Sequence, residues 1–193
     1  WHIHRVRNLA LHIGKEEGAD LYVCELAALL HDIADWKFHG GDTNVGPATA
    51  RIWLEGQHVP EDVIAHVCDI IAHISYKGAG VATPMNTIEG KAVQDADRIE
   101  ALGAIGIART FAYGGHKNRP MHDPETSPTL HASFEQYAAQ PGKGGTTINH
   151  FYEKLFLLKD RMNTATGKRV ATERTAYMQQ YVDRFYKEWD GHL

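Results

Sequence analysis

The chain has 193 residues, enough for one domain with a full hydrophobic core, or one domain with a helical elaboration. Its 43% hydrophobic and 23% charged content is that of an ordinary globular protein. A net charge of −4 argues against a nucleic-acid polymer as partner, because neutralising a phosphate backbone takes a strongly basic face. It still permits a small anionic substrate, since a bound divalent cation can dominate the field of a pocket.

Helical periodicity runs through most of the chain, with no strand-like alternation. Ile3, Val6, Leu9, Ala10 and Ile13 form a first apolar stripe that ends near Gly18. Asp20 is placed to cap a second helix, whose Val23, Leu26, Ala27, Leu30 and Ile33 recur at spacings of three and four. Gly40 and Gly41 then break the chain. Pro47 opens a helix through Ile52 to Leu54 that Gly56 closes, and Pro60 begins another with Val63, Ile64, Val67, Ile70, Ile71 and Ile74 on its buried face. Lys77 to Pro84 is glycine-rich and reads as a loop.

Thr87 is placed to cap a helix through Val93, Ala96, Ile99 and Leu102. Tyr113 to Pro128, rich in Gly, Pro, His and Asn, reads as a long surface segment of the kind that often serves as a lid. Its His116, Lys117 and Arg119 could close over a polyphosphate, although an ordinary surface loop is the more cautious reading. Gly142 to Gly145 reads as a second flexible patch. Two amphipathic helices follow, about Ile148 to Met162 and Arg169 to Trp189, with Gly167 between them. Many helices and no sheet make a helix-packed, all-α domain the expected fold.

The chain carries 13 histidines, an excess that points towards a metal site because histidine is the commonest metal ligand. Cys24 and Cys68 sit inside apolar helical patterns as small hydrophobes and suggest no disulfide framework, as expected of a cytoplasmic protein. The most apolar stretch, Leu26 to Leu30, is far too short to span a bilayer. No signal peptide is visible, and with Trp1 as the first residue further chain is expected upstream.

The most informative dipeptide is His31-Asp32, at the end of the second helix. Adjacent helical residues point about 100° apart, so both reach one ion only at a helix edge, with other helices completing the shell. His2 and Asp97 have that character, though on local chemistry His4 competes evenly with His2, and periodicity does not separate Asp97 from Asp95. Imidazoles with carboxylates suit a borderline divalent cation, and without a thiolate the set differs from a closed structural zinc site. Four protein ligands on an octahedral ion would leave room for a water and a phosphate oxygen.

The order His2, His31-Asp32, Asp97 resembles the H…HD…D signature of HD-domain phosphohydrolases. The strings LAALLHDIADWKFHGGD, ISYKG, EGKAVQDADRIEALGAIGIARTFAYGG and HFYEKLFLLKDRMNTATGKRVA extend the likeness to the bacterial YedJ-type HD hydrolases over essentially the whole chain. The resemblance implies an all-α HD fold with additional C-terminal helices. It implies a single HD-type domain over 1–193, with a core of about 1–110, a lid-like segment of about 113–128 and C-terminal helices of about 148–190. It also implies one divalent cation, held by His2, His31, Asp32 and Asp97, and phosphoester or phosphoanhydride hydrolysis on a nucleotide. The superfamily spacing to a following valine selects His2 over His4, and the Ala-Asp-Arg-aliphatic pattern selects Asp97, leaving Asp95 as an acid behind the ligands.

Manganese is the favoured ion, with magnesium, iron, nickel and zinc chemically allowed. Asp35, on the same helix face as His31 and Asp32, would orient or deprotonate the attacking water, as acids in this position do in some HD enzymes. Lys77, Arg109, His150 and Lys154 are candidate phosphate contacts, each in competition with a structural ion pair or a surface role. His66 and His73, seven residues apart on one helix face, could be ligands of a second metal as in some HD relatives, but read rather as core-edge or pocket residues. A small phosphorylated partner is expected, with no membrane, and the amphipathic C-terminal helix suits a homodimer as well as the core. Two rival readings remain: an HD scaffold that senses a nucleotide without turnover, and a helical protein that stores metal.

Overall fold

The computed structural model describes residues 1–34, 39–75, 82–129 and 145–192. Among them there is no strand, and the fold is all-α. Asp35 and Lys77 lie outside the described residues, as do Gly142 to Gly144 of the second glycine patch. Two compact units can be distinguished among the described residues. One comprises 1–34, 39–75, 83–97 and 163–167; the other comprises 82, 98–129, 145–162 and 168–192.

The first unit begins with α1 (His2–Glu17), whose Val6, Ala10 and Ile13 are fully buried at helical spacing. Gly18 ends it at φ 74°, in the left-handed conformation that a side chain would penalise. Asp20 caps α2 (Leu21–Leu30) as expected: its Oδ1 accepts from the backbone N–H groups of Tyr22 at 2.8 Å and Val23 at 3.4 Å. α1 packs on α2, and α2 on α4 (Glu61–His73), which in turn packs on α3 (Val45–Gly56). α3 starts two residues before Pro47, which is tolerated because a first-turn residue has no helical carbonyl partner to lose.

Thr87 opens α5 (Ile88–Glu100) by accepting the Gly90 N–H on its hydroxyl at 3.1 Å. Residues Ala92 to Ala96 are all buried, Gln94 and Asp95 included, so this helix is enclosed on nearly every side. The helix stops at Glu100, and Leu102 caps the next one instead of continuing this one.

In the second unit, α6 (Gly103–His116) takes in Tyr113 to His116, so the lid-like segment begins within a helix. The rest of that segment is fastened down. The Thr147 and Ile148 N–H groups donate to the Pro120 and Met121 carbonyls, and the Asn149 side chain donates to the Thr126 carbonyl. The predicted helix over 148–162 is a short α7 (Asn149–Glu153) followed by a 3₁₀ segment, Leu155–Arg161. Phe111, Phe151 and Tyr181 make an aromatic centre with ring separations of 6.0–6.4 Å.

The last helix, α8 (Ala165–Trp189), begins four residues earlier than predicted. Gly167 lies in its first turn and not between helices. Thr164 serves as the cap, its hydroxyl accepting the Gly167 N–H at 2.9 Å.

Candidate metal centre

His31 follows directly on the last residue of α2, where helix carbonyls lack partners. Its Nδ1 lies 2.8 Å from the Ala28 carbonyl oxygen. A carbonyl only accepts, so Nδ1 carries a proton, and whenever the ring is neutral it is Nε2 that presents the lone pair. The helix end thereby sets the tautomer. The His31 side chain is 2% exposed, which holds the ring in one orientation.

His2 comes from the first residue of α1, and its Nε2 stands 3.3 Å from His31 Nε2. Asp32 Oδ2 lies 3.5 Å from each of these two nitrogens. Asp97, from α5, places Oδ1 3.5 Å from His2 Nε2 and 3.7 Å from His31 Nε2. One donor atom each from His2, His31 and Asp97 lie within 4.8 Å of one another, an arrangement that could hold a metal ion. Four residues from three helical elements, 95 positions apart at the extremes, thus meet at one point.

Ligand atoms about 2.1 Å from one ion stand roughly 3.0 Å apart at right angles and roughly 3.4 Å apart in a tetrahedron. The observed separations of 3.3–3.7 Å are close to both. Two imidazole nitrogens facing two carboxylate oxygens is a donor set that fits a divalent cation. Burial pushes the Asp97 carboxyl up, but the His2 hydrogen bond and the nearby imidazole charges outweigh it and hold the group below its ordinary value of 3.8. The carboxylate form is therefore favoured. Asp32 is the open side of the cluster, its side chain 51% exposed, so an incoming molecule would meet that edge first.

The two acids that periodicity leaves level, and between which the family pattern selects Asp97, have different surroundings. Asp97 faces the histidines, whereas Asp95 is fully buried on the far side of α5 and accepts from Asn163 and Thr164. His4 points elsewhere, its Nε2 3.1 Å from the Asn8 amide. His66 Nε2 lies 2.9 Å from the Thr87 hydroxyl, and His73 Nδ1 lies 2.8 Å from the Asp69 carbonyl.

The remaining candidates belong to the second unit. Arg109 pairs with the buried carboxylate of Glu100. Burial first, then the charges of Lys154 and Arg119, push the His150 imidazole down to about 4. Sequence reasoning passed over Gln94, Asn163 and Thr164. The run Asn163-Thr164-Ala165-Thr166 before a helix is a capping signature that could have drawn attention to them.

The family model of the HD domain matches residues 2–102, a stretch that contains His2, His31, Asp32 and Asp97, and the chain belongs to that family. It is 37% identical to the uncharacterized protein YpgQ of Bacillus subtilis (strain 168), over 98% of this chain and 83% of that one. The crystal structure of an HD-superfamily hydrolase from Bacillus thuringiensis matches with a TM-score of 0.77 and 43% identity, covering 99% of this chain and 86% of that one. The structure of Bacillus subtilis YpgQ in complex with ADP matches with a TM-score of 0.76 and 34% identity, over 98% and 88% of the two chains. These likenesses are to HD-superfamily hydrolases and to YpgQ; the YedJ-type likeness is a narrower matter on which they do not bear. No helix among the described residues is long and apolar enough to cross a membrane.

Proposed function

We propose that this chain is a divalent-metal-dependent phosphohydrolase that cleaves a phosphoanhydride or phosphoester of a nucleotide, with a nucleoside triphosphate or a close relative as substrate. The observation that carries this reading is the convergence of His2, His31, Asp32 and Asp97, with each imidazole nitrogen 3.3–3.7 Å from the other and from both carboxylates. The ADP bound by the YpgQ relative supports a nucleotide as the ligand class. Manganese is the favoured ion, and the cytosolic nucleotide pool is the matching source of substrate.

His2, His31, Asp32 and Asp97 would hold the cation, which when bound would supply Lewis acidity towards a phosphoryl oxygen and would lower the pKa of a neighbouring water. His31 contributes a fixed lone pair, because its other nitrogen is committed to the Ala28 carbonyl. His2 and Asp97, both half-buried, complete the set beside the buried His31, and Asp32 holds the solvent side. Asp35 would take the proton from the attacking water as the new O–P bond forms and the old one breaks, the leaving phosphate or alkoxide oxygen departing with the bonding pair and taking a proton from solvent where it needs one. Lys77 and Lys154 are the cations proposed to offset charge on the phosphoryl oxygens, and Arg109 would do so only by exchanging its Glu100 partner for phosphate. His150, held near 4, is neutral at pH 7 and serves as a hydrogen-bonding group.

The test is a screen for phosphate and pyrophosphate release across nucleotides, cyclic nucleotides and sugar phosphates, with and without manganese. Metal-dependent release from a nucleotide, lost in Asp32→Ala with the helical circular dichroism kept, is the expected result. Nucleotide binding with no release from any ester would overturn the hydrolase reading in favour of a sensor.

A further inference from the structure

Asp95 has no solvent exposure, yet its carboxylate is surrounded by donors. Oδ1 accepts the Asn163 N–H at 2.8 Å and the Asn163 side-chain amide at 2.9 Å. Oδ2 accepts the Thr164 N–H at 2.8 Å and the Thr164 hydroxyl at 2.7 Å. These are the cap residues of α8, where the helix dipole adds a further attraction for negative charge. The adjacent Gln94, equally buried, extends the network, its Oε1 accepting the Asn163 amide at 2.9 Å.

Residues two apart on a helix point roughly 200° from each other. Asp95 therefore grips the segment 163–164 on one face of α5, while Asp97 reaches His2 and His31 on nearly the opposite face. A carboxylate oxygen lies about 6 Å from a helix axis, so a 10° roll of α5 would carry Asp97 Oδ1 by about 1 Å. Metal coordination tolerates only about 0.2 Å. The apolar packing of Ala92, Val93, Ala96 and Ile99 is not directional, so the buried polar anchors of α5, Asp95 and the neighbouring Gln94, are what oppose such a roll.

We infer that Asp95, with Asn163 and Thr164, is the positioning device for the metal centre: it fixes the roll of α5 and so the place of Asp97 in the ligand set. This rests on the metal-centre reading above. Asp95 touches neither the ion nor a substrate; it acts through the helix. Asp95→Asn places an amide NH₂ against donors that need an acceptor, which breaks the grip at nearly constant volume.

The experiment is Mn²⁺ titration of the full chain by calorimetry, alongside thermal unfolding of the metal-free protein. Groups hydrogen-bonded directly to a metal ligand are worth about 10- to 100-fold in affinity; Asp95 acts one step further out, so Asp95→Asn is expected to weaken Mn²⁺ by about 10-fold, the lower end of that range. Asn163→Ala removes the side-chain contacts but keeps both backbone donors; it folds more readily and should weaken Mn²⁺ several-fold. Glu17→Gln is the control for stability alone. Glu17 accepts the Thr166 N–H at 2.7 Å and so also secures the start of α8, but it sits at the far end of α1 from His2. It should lower the melting temperature and leave Mn²⁺ affinity within twofold. If the parent chain binds Mn²⁺ and the Asp95 and Asn163 variants match it, or if Glu17→Gln weakens the ion as much as they do, the positioning role is wrong while the metal centre stands. If the parent chain does not bind Mn²⁺, the metal centre itself is wrong and the inference falls with it.

Discussion

Gly167→Ala is a substitution for which helix propensity and packing give opposite answers. In the first turn of an exposed helix, alanine would stabilise by about 1 kcal/mol relative to glycine. Here the new Cβ would stand 2.3 Å from Asp95 Oδ2, 2.7 Å from the Thr164 hydroxyl and 2.9 Å from Asp95 Cγ. Ordinary non-bonded contact needs about 3.5 Å, so one side must yield by roughly 1 Å. Asp95 is fully buried and held by donors at 2.7–2.9 Å, and a shift of that size takes two of them out of range. Hydrogen bonds to a charged group are worth about 1.5–3 kcal/mol each, giving a loss of about 3–6 kcal/mol. After the propensity gain the net destabilisation is about 2–5 kcal/mol, or roughly 6–15 °C in melting temperature for a chain of this size. Thermal and urea unfolding of the purified variant measure this. A Gly167→Ala protein as stable as the parent, or more so, would show that the Asp95 pocket is not as tightly filled as described.

Other measurements bear on neighbouring parts of the molecule. Gly114 and Gly115 are adjacent in α6, but a Cβ at the first would lie 2.2 Å from the Thr147 hydroxyl and one at the second would meet nothing within 4 Å. Gly114→Ala should therefore destabilise by about 1–3 kcal/mol and Gly115→Ala should stabilise by about 0.5–1 kcal/mol; equal effects would contradict the packing. Chelation should lower the melting temperature, and manganese at a hundred times its dissociation constant should restore about 2.7 kcal/mol. An unchanged melting curve under both treatments would count against the metal centre. His150 titrates near 4 when folded and near 6.5 when unfolded, so between those values the unfolded chain binds more protons. Its contribution is full above pH 6.5 and is lost as pH falls towards 4, about 3 kcal/mol over the whole window. His150→Gln should flatten the stability profile across that range, and parallel profiles for variant and parent would refute the assignment.

What could be read from sequence was what depends on near neighbours. Asp20, Gly18, Pro60 and Thr87 mark helix ends through groups one to four residues away, and each stands at a helix end in the structure. The four converging residues were legible because a family pattern joins positions that periodicity alone cannot relate. Gly167 looked like a break because glycine usually is one; its reason is the Asp95 carboxylate, 72 positions earlier in the chain. The family pattern could choose Asp97 over Asp95, but what Asp95 does in its place depends on Asn163 and Thr164, 68 and 69 positions later in the chain. Tyr113 to His116 carries loop-forming residues but continues α6, where Gly114 lets the helix lie against Thr147.

The amide of Gln94 has a consequence for how this scaffold can diverge. Its Nε2 donates to the carbonyls of His73, Ile74 and Thr83 at 3.2–3.4 Å, so one buried side chain moors the chain on both banks of the stretch between 74 and 83. With the ends tethered, the number of residues between them is decoupled from the helices that carry the histidines and acids. Each doubling of such a span adds only about 0.6 kcal/mol of closure entropy. A change of length between the tethered ends is therefore expected to act on the passage itself before it reaches the frame that carries the histidines and acids.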